Sequence, residues 1–323
     1  MKICNRNITF KSDFPFLETQ ENIVGTKNRD FGHLQGNRML NYYIAKNAPE
    51  NMEWYMRKLF YKNNHYFPNF ENPQTFNEKV HWFKLYYHNP LITTCCDKYA
   101  VKDYVDKVLG PGHVVPTIAA WDNVNDIDFD ALPEKFVLKV NWSSGYNIIV
   151  KNKALLNIDK VKHKLNQWMQ PYNNSYYVSY NWGYKNMKPV IYAEKYIEQM
   201  AGQVYDYKFF CYNGTPKNLF VATDRFKHKH FNFYDMDWNL LPFSWMPNTK
   251  HKIDKPKNFD KMVEFSKKLS EPFPFVRCDY YEIGDQVLLG EMTFYPGGGL
   301  LEFKPAKYDL EMGSFIQLPD KWL

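Results

Sequence analysis

The sequence predicts an α+β protein of several lobes, with its strands in antiparallel pairs. Three observations carry that expectation. Helical patterns dominate the first part of the chain, strand-like runs follow in adjacent pairs, and a helix precedes a terminal hairpin with no internal repeat. At 323 residues and 45% hydrophobic content the chain can bury a substantial core in one large domain or in two to three lobes.

In chain order, residues 1 to about 35 are polar and irregular, a lead-in with little periodicity. Residues 37–61 show a helical pattern broken at Ala48-Pro49. Thr75 and Glu78 have capping-box spacing at the start of a helix carrying Val80, Trp82, Phe83, Leu85 and Tyr86. Cys96-Asp97-Lys98 opens a further helix with an acidic first turn. Gly110-Pro-Gly is a turn into a short strand. Two strand-like runs, 136–140 and 146–150, flank the polar loop Asn141-Trp-Ser143-Ser144-Gly145. Residues 154–170 read as helix, 190–198 and 205–212 as strands, and 257–270 as helix.

The last segment is the most informative. Arg277-Cys-Asp-Tyr-Tyr-Glu, a Gly284-Asp285 turn and Leu288-Leu-Gly-Glu291-Met-Thr293 read as a β-hairpin. Each strand carries an acid among residues expected to be buried, Asp279 on the first and Glu291 on the second. A buried carboxylate is costly alone, so two on neighbouring strands point to a shared cation. The glycine run Gly297-Gly298-Gly299 offers backbone N–H groups to an anion.

Composition excludes several classes. No segment approaches the ~18 uninterrupted apolar residues of a membrane span, no secretory leader is evident, and five cysteines form neither a disulfide framework nor a metal-ligand spacing. A reducing cytoplasm is the expected home. Net charge is +6, spread along the chain without the basic stripe that nucleic acid favours, and it suits an anionic small molecule or polymer. Most of the 18% aromatic residues are expected in the core.

Lys139 sits inside an apolar strand, ahead of a small-residue loop that can hold phosphate oxygens; a lysine on a solvated strand face is the competing reading. Glu194-Lys195-Tyr-Ile197-Glu198 and Asp206/Lys208 read equally as ordinary surface charge pairs. Asp279 is open to neutralisation by Arg277, and Glu291 by a lysine, in place of metal. Arg225 is a candidate anion clamp or a partner of Asp224, and His228 and His230 read as surface residues.

The order of these parts resembles the ATP-grasp superfamily: Asp97-Lys98, Phe-Val-Leu-Lys139 with its Ser-Ser-Gly loop, Ala-Glu194-Lys195-Tyr-Ile197, Arg277-x-Asp279 and Gly-Glu291-x-Thr293. Phe-Asn-Glu-Lys at 76–79, the run from Asp206 to Gly214 and Gly-Glu-Met-Thr-Phe-Tyr-Pro-Gly-Gly-Gly ending at 299 resemble its TupA-like branch, associated with bacterial surface-polysaccharide loci. The resemblance covers about residues 70–320. It implies an ATP-grasp fold with a nucleotide between two α+β lobes of antiparallel sheet. It also implies a division into a lead-in (1–70), a pre-grasp lobe (71–130), a small lobe (131–200) and a large lobe (201–323).

The resemblance further implies ATP and Mg2+ as cofactors. Lys98 and Lys139 would hold the α- and β-phosphates, and the Ser143, Ser144 and Gly145 loop would close over them. Glu194 would accept from the adenine amino group, with the backbone at Lys195 and Ile197 along the ring edge. Glu198 or Asp206 would take the ribose hydroxyls, and Lys208 would join the nucleotide site. Asp279, Glu291 and Thr293 would hold the metal, with Thr293 standing where many members carry Asn. Arg277 would stabilise the transferring phosphoryl group, and Gly297, Gly298 and Gly299 would meet the substrate. The implied reaction joins a carboxylate-bearing sugar or glycan to an amine or amino acid through an acyl phosphate. Two other classes stay open: a nucleotide-sugar glycosyltransferase using Asp235-Met-Asp237 or Asp128-Phe-Asp130, and a non-catalytic glycan-binding protein.

Overall fold

The computed structural model describes residues 38–197, 205–223 and 230–323. Residues 1–37, and with them most of the irregular start, together with Glu198, Asp224, Arg225 and His228, lie outside the described residues. Helices α1 (Arg38–Asn47) and α2 (Met52–Asn64) are split by a short 3-10 turn at Pro49–Asn51. Proline lacks the N–H that a continuing helix needs and is at home in a first turn. Helix α2 buries Met56, Leu59 and Phe60.

Helix α3 (Phe76–Tyr86) starts on the expected box: Glu78 N donates to Thr75 Oγ1 at 3.2 Å, and Thr75 N donates to Glu78 Oε2 at 3.0 Å. It buries His81 and Lys84 along with Val80, Trp82 and Phe83, so it runs through the interior. The helix expected from Cys96 is two helices, α4 (Pro90–Cys96) and α5 (Val101–Leu109). Asp97 ends the first, and its Oδ1 accepts from Tyr99 N at 2.8 Å and Ala100 N at 3.0 Å. That Asx turn competes with helix and sets Lys98 in the break.

Strands β1 (Thr117–Trp121), β2 (Phe136–Val140), β3 (Asn147–Val150) and, after helices α6 (Ile158–Trp168) and α7 (Tyr176–Ser179), β4 (Ile191–Lys195) form an antiparallel sheet ordered β1-β4-β2-β3. Its edge strand β1 comes from residues assigned by sequence to the pre-grasp lobe. The second sheet joins β5 (Asp206–Tyr212), β6 (Thr215–Thr223), β7 (His230–Asp235) and, beyond helix α8 (Phe259–Ser270), the hairpin β8 (Phe275–Ile283) and β9 (Gln286–Thr293). Its order is β7-β6-β5-β8-β9, antiparallel throughout. Helix α8 covers one face, with the Phe209 and Phe259 rings 5.6 Å apart. The other face is left for the site.

Strands β6 and β7 and helix α9 (Lys307–Ser314) have no counterpart in the sequence reading. Strand β6 opens on Thr215, Pro216, Lys217 and Asn218, which mask its alternation. Helix α9 carries Gly313, which reads as a helix stop; a Cβ there would lie 2.2 Å from the Gln74 carbonyl oxygen, so the glycine permits close packing on the start of α3.

Candidate functional site: a carboxylate and cation face beside a glycine turn

Side chains alternate across a strand, so residues two apart share a face. On the face of the second sheet opposite α8 this gathers Asp206 and Lys208 from β5, Arg277, Asp279 and Tyr281 from β8, and Glu291 and Thr293 from β9, all lining one cavity. Register brings the chemistry together: Lys208 is opposite Asp279, Asp279 opposite Glu291, and Arg277 opposite Thr293. The ladder slips just beyond, where Tyr280 faces Leu289 and Gly290 is the extra residue. A side chain at 290 would press within 2.5 Å of the Tyr281 ring.

Asp279 is the hub. Arg277 Nε donates to Oδ1 at 2.6 Å and Nη2 to Oδ2 at 2.7 Å, a bidentate pair, while Nη2 also donates to Thr293 Oγ1 at 3.0 Å. Lys208 pairs with the same carboxylate and lies 3.7 Å from Asp206. Lys98 Nζ pairs with Glu291 at 2.8 Å. Burial raises the Asp279 carboxyl pKa, but Arg277 and Lys208 outweigh it and hold it below the usual range. Glu291 follows the same pattern, with Lys98 the leading opponent of burial. Arg277 is held fully charged: burial works against the guanidinium and Asp279 overcomes it.

The cavity, about 310 Å³, runs from this face to the Ser175–Asn181 segment and the glycine turn. Gly297, Gly298 and Gly299 all adopt left-handed φ, at 55°, 68° and 67°. A Cβ at 298 would lie 2.4 Å from Ser179 Oγ, and one at 299 would lie 2.6 Å from His81 Nδ1. Lys84 holds the turn from behind, with Nζ donating to Gly298 O at 2.6 Å and Ser179 O at 2.9 Å. Burial pushes its ammonium pKa far down. Gly298→Ala is expected to lower the melting temperature by several degrees through backbone strain and the Ser179 clash, roughly 1–3 kcal/mol; an unchanged thermal midpoint would contradict that packing.

The first sheet carries a second charged cluster. Val137 opposes Glu194 and Lys139 opposes Tyr192, so Lys139 and Glu194 share a face. Glu194 is buried, with Lys102 Nζ 2.6 Å from one oxygen and Lys139 on the other. Burial alone would raise its pKa; Lys139 and Lys102 reverse that. Glu194, expected to accept from the adenine amino group, is in the structure the shared counter-ion of two lysines. Lys102 was missed because a lysine on an amphipathic helix looks solvated; it also donates to Val115 O and Thr117 Oγ1, both at 2.8 Å. None of Lys102, Lys139 and Glu194 lines the cavity described above.

Of the loop, Ser144 faces the cavity, whereas Ser143 is buried and accepts from Ser175 Oγ at 3.4 Å, so its side chain belongs to the packing. Gly145 turns the chain with φ 76°. Lys195 is exposed at the end of β4, its N–H donating to Pro116 O at 3.0 Å, with Ile197 just beyond. His230 opens β7.

Among the described residues, no group of three or more His, Cys, Asp or Glu could hold a metal by itself. Magnesium, however, usually takes one or two carboxylates plus substrate phosphates. Asp279 and Glu291 are direct cross-strand partners beside the Thr293 hydroxyl, an all-oxygen set that fits that mode. The two Asp-x-Asp sequences serve turns instead: Asp235 Oδ1 accepts from Asp237 N at 3.0 Å, and Asp128 Oδ1 accepts from Asp130 N at 3.0 Å.

Two antiparallel sheets bearing lysine–carboxylate clusters are the architecture of an ATP-grasp protein. The family model described as TupA-like ATPgrasp matches residues 78–317, and the chain belongs to that family. No curated protein matches. Among solved structures, D-alanine–D-alanine ligase from Bacillus anthracis is 17% identical, with a TM-score of 0.39, over 64% of this chain and 58% of its own. The corresponding ligase from Helicobacter pylori is 17% identical (TM-score 0.37; 69% of this chain, 61% of its own). L-amino acid ligase from Bacillus licheniformis is 8% identical (TM-score 0.39; 68% and 44%). The chain thus spans less than two thirds of each of these structures. No helix among the described residues is long and apolar enough to cross a membrane.

The three depressed carboxylates set a pH dependence. Their folded pKa values lie below the ordinary value near 4. Their stabilisation is therefore complete above that value and is lost as pH falls through the lower folded values. The part of the urea midpoint contributed by these three carboxylates is expected to stay constant down to about pH 5 and to be lost below about pH 4. It comes on top of a loss below about pH 6.5 from buried His81, whose pKa burial lowers, and an opposing gain between about pH 7 and 4 from buried Asp309, whose pKa burial raises to about 7. A midpoint unchanged from pH 6 to pH 3 would contradict these ion pairs.

Proposed function

We propose that the protein is an ATP- and Mg2+-dependent carboxylate–amine ligase. The observation that carries this reading is the cross-strand Asp279/Glu291 pair beside Arg277, facing a cavity walled by a left-handed glycine turn. A substrate carboxylate oxygen attacks the γ-phosphorus of ATP, the bond to the β-phosphate oxygen breaks, and ADP leaves with an acyl phosphate formed. The amine nitrogen then attacks the acyl carbon, inorganic phosphate departs, and the nitrogen loses a proton to give the amide.

Arg277, fixed by Asp279, holds its charge where the phosphoryl group transfers, and Lys98 and Lys208 screen the two anions that must meet. Asp279, Glu291 and Thr293 would hold the metal, which supplies charge neutralisation at the phosphates. Lys139, oriented by Glu194 with Lys102, serves the nucleotide, with the 143–145 loop over its phosphates, Lys195 and Ile197 along the base, and Asp206 as the described candidate for the ribose. The glycine turn offers its backbone to the acyl phosphate. The cavity's Trp245 and Tyr281 rings suit the apolar face of a sugar, which supports a sugar acid as the carboxylate; a surface glycan as its source, an amino acid or amine as its partner and a cytoplasmic setting belong to the same proposal. A glycosyltransferase is disfavoured because both Asp-x-Asp pairs are committed to turns.

The test incubates the protein with ATP, Mg2+ and pairs of uronic acids and amines. ADP released only when both partners are present supports the ligase; UDP released from a nucleotide sugar overturns it. Arg277→Lys keeps a charge but loses the fork, and is expected to lower kcat about 10²- to 10³-fold. An unchanged kcat would remove Arg277 from the chemistry.

A further inference from the structure

Helix α1 precedes the family-matched residues 78–317, yet it places a cation in the cavity. Arg38 lines the cavity together with Ser144, Ser175 and Ser179. The helix is pinned there by buried Asn41, whose Nδ2 donates to Tyr177 O at 2.7 Å and Val178 O at 3.1 Å. Tyr180 OH donates in return to Asn41 O at 3.3 Å. The anchor is thus the same 175–181 segment that forms the cavity wall.

Among the described residues the guanidinium is held on one side only. Nη1 donates to Tyr146 OH at 2.7 Å and to Asn173 O at 3.4 Å. Tyr146 is in turn stacked flat on Trp168, with centroids 4.9 Å apart and planes 2° from parallel. A guanidinium has five N–H donors. With Nη1 committed, the Nε and Nη2 edge remains, and that edge is the fork that matches a carboxylate bidentately. No ion pair among the described residues includes Arg38, while the cavity carboxylates Asp206, Asp279 and Glu291 are already matched by Lys208, Arg277 and Lys98. Among the described residues Arg38 is therefore a surplus cation of the cavity, pre-oriented and half-buried.

The reacting carboxylate becomes an acyl phosphate beside Arg277 and the glycine turn, so a further arginine serves a second anionic group. We propose that the amine substrate is an α-amino acid whose carboxylate is held by the Nε/Nη2 edge of Arg38, so that simple amines and carboxamides are rejected. This inference rests on the ligase reading and adds to it which kind of amine is taken. The ordering of Arg38 by Tyr146 and Trp168 reduces the entropy lost on binding. Discrimination against a carboxamide follows because the amide's NH2 presents donors to a donor-only fork.

The test is calorimetric titration of the full-length protein saturated with ADP and Mg2+, using the twenty L-amino acids, D-alanine and the matching α-carboxamides as probes. At least one free acid is expected to bind on the order of 10- to 100-fold more tightly than its carboxamide. Arg38→Gln is expected to bring the two within about twofold by weakening the acid alone, and Arg38→Lys to fall between, since an ammonium has no fork. ADP·Mg2+ affinity should be the same in all three proteins. Carboxamides binding as tightly as acids, no probe binding, or an acid preference that survives Arg38→Gln would each overturn the role of Arg38. Failure of ADP·Mg2+ to bind the unmodified protein would instead overturn the ligase reading, and this inference with it.

Discussion

Asp279→Asn is expected to abolish turnover and to lower stability by about 3–5 kcal/mol. The substitution keeps the shape of the side chain and removes only its charge. It leaves Arg277 and Lys208 facing each other in the interior, where both had been matched by one buried carboxylate. Glu291→Gln separates the two effects. Glu291 answers Lys98 in a partly open pair, their side chains 26% and 16% exposed, so water reaches the released ammonium better than it reaches Arg277 and Lys208 around Asp279. Its stability loss should stay within about 1 kcal/mol, while turnover should fall as far as with Asp279→Asn, because the proposed metal set is broken either way. Urea denaturation and ADP release on the two variants check both halves. Equal destabilisation would show that Asp279 is no hub, and activity in Glu291→Gln would remove that residue from the metal site.

Lys84→Ala is expected to cost about 3–5 kcal/mol and to leave the glycine turn without its brace. The ammonium is buried, no ion pair among the described residues includes it, and its hydrogen-bond acceptors are Gly298 O, Ser179 O and Ser179 Oγ. Truncation deserts these acceptors and opens a cavity as well. Lys84→Met fills the same volume and also removes a charge that burial opposes. It should therefore lose about 1–3 kcal/mol, clearly less than alanine. Both variants are expected to accelerate amide hydrogen exchange at residues 297–301 more than in β8 and β9, because the brace acts on the turn. Exchange that rises uniformly over the fold would contradict a local brace.

The terminal hairpin was legible because each acid stands out from an apolar, alternating run and because Gly284-Asp285 is a two-residue turn. The structure places Gly284 at φ 59° and sets Asp279 directly opposite Glu291. The capping box at Thr75 and Glu78 was equally visible, since both partners lie within one turn of chain. What stayed hidden depends on distance along the sequence. Lys102 is 92 positions from the carboxylate it pairs with, Lys84 is braced on residues beyond 175, and Arg38 reaches Tyr146. A lysine or arginine on a helix carries no local sign that its head group is buried or aimed at a cavity. Glu194 stands out in its apolar strand, but its two lysines come from another strand and from a helix, so their pairing leaves no local sign. Gly290 carries no sign in the sequence of being the bulge that changes the register next to Asp279.

The central claim is that a carboxylate is activated as an acyl phosphate in the cavity between Arg277 and the glycine turn. It is tested most directly with a uronic acid whose carboxylate oxygens are both 18O, incubated with ATP, Mg2+ and an α-amino acid, with the phosphate analysed by mass. Attack of the carboxylate on the γ-phosphorus, followed by amine attack on the acyl carbon, must leave one 18O in each inorganic phosphate released and one in the amide. Phosphate free of label, or label found in AMP alongside pyrophosphate, would contradict the account.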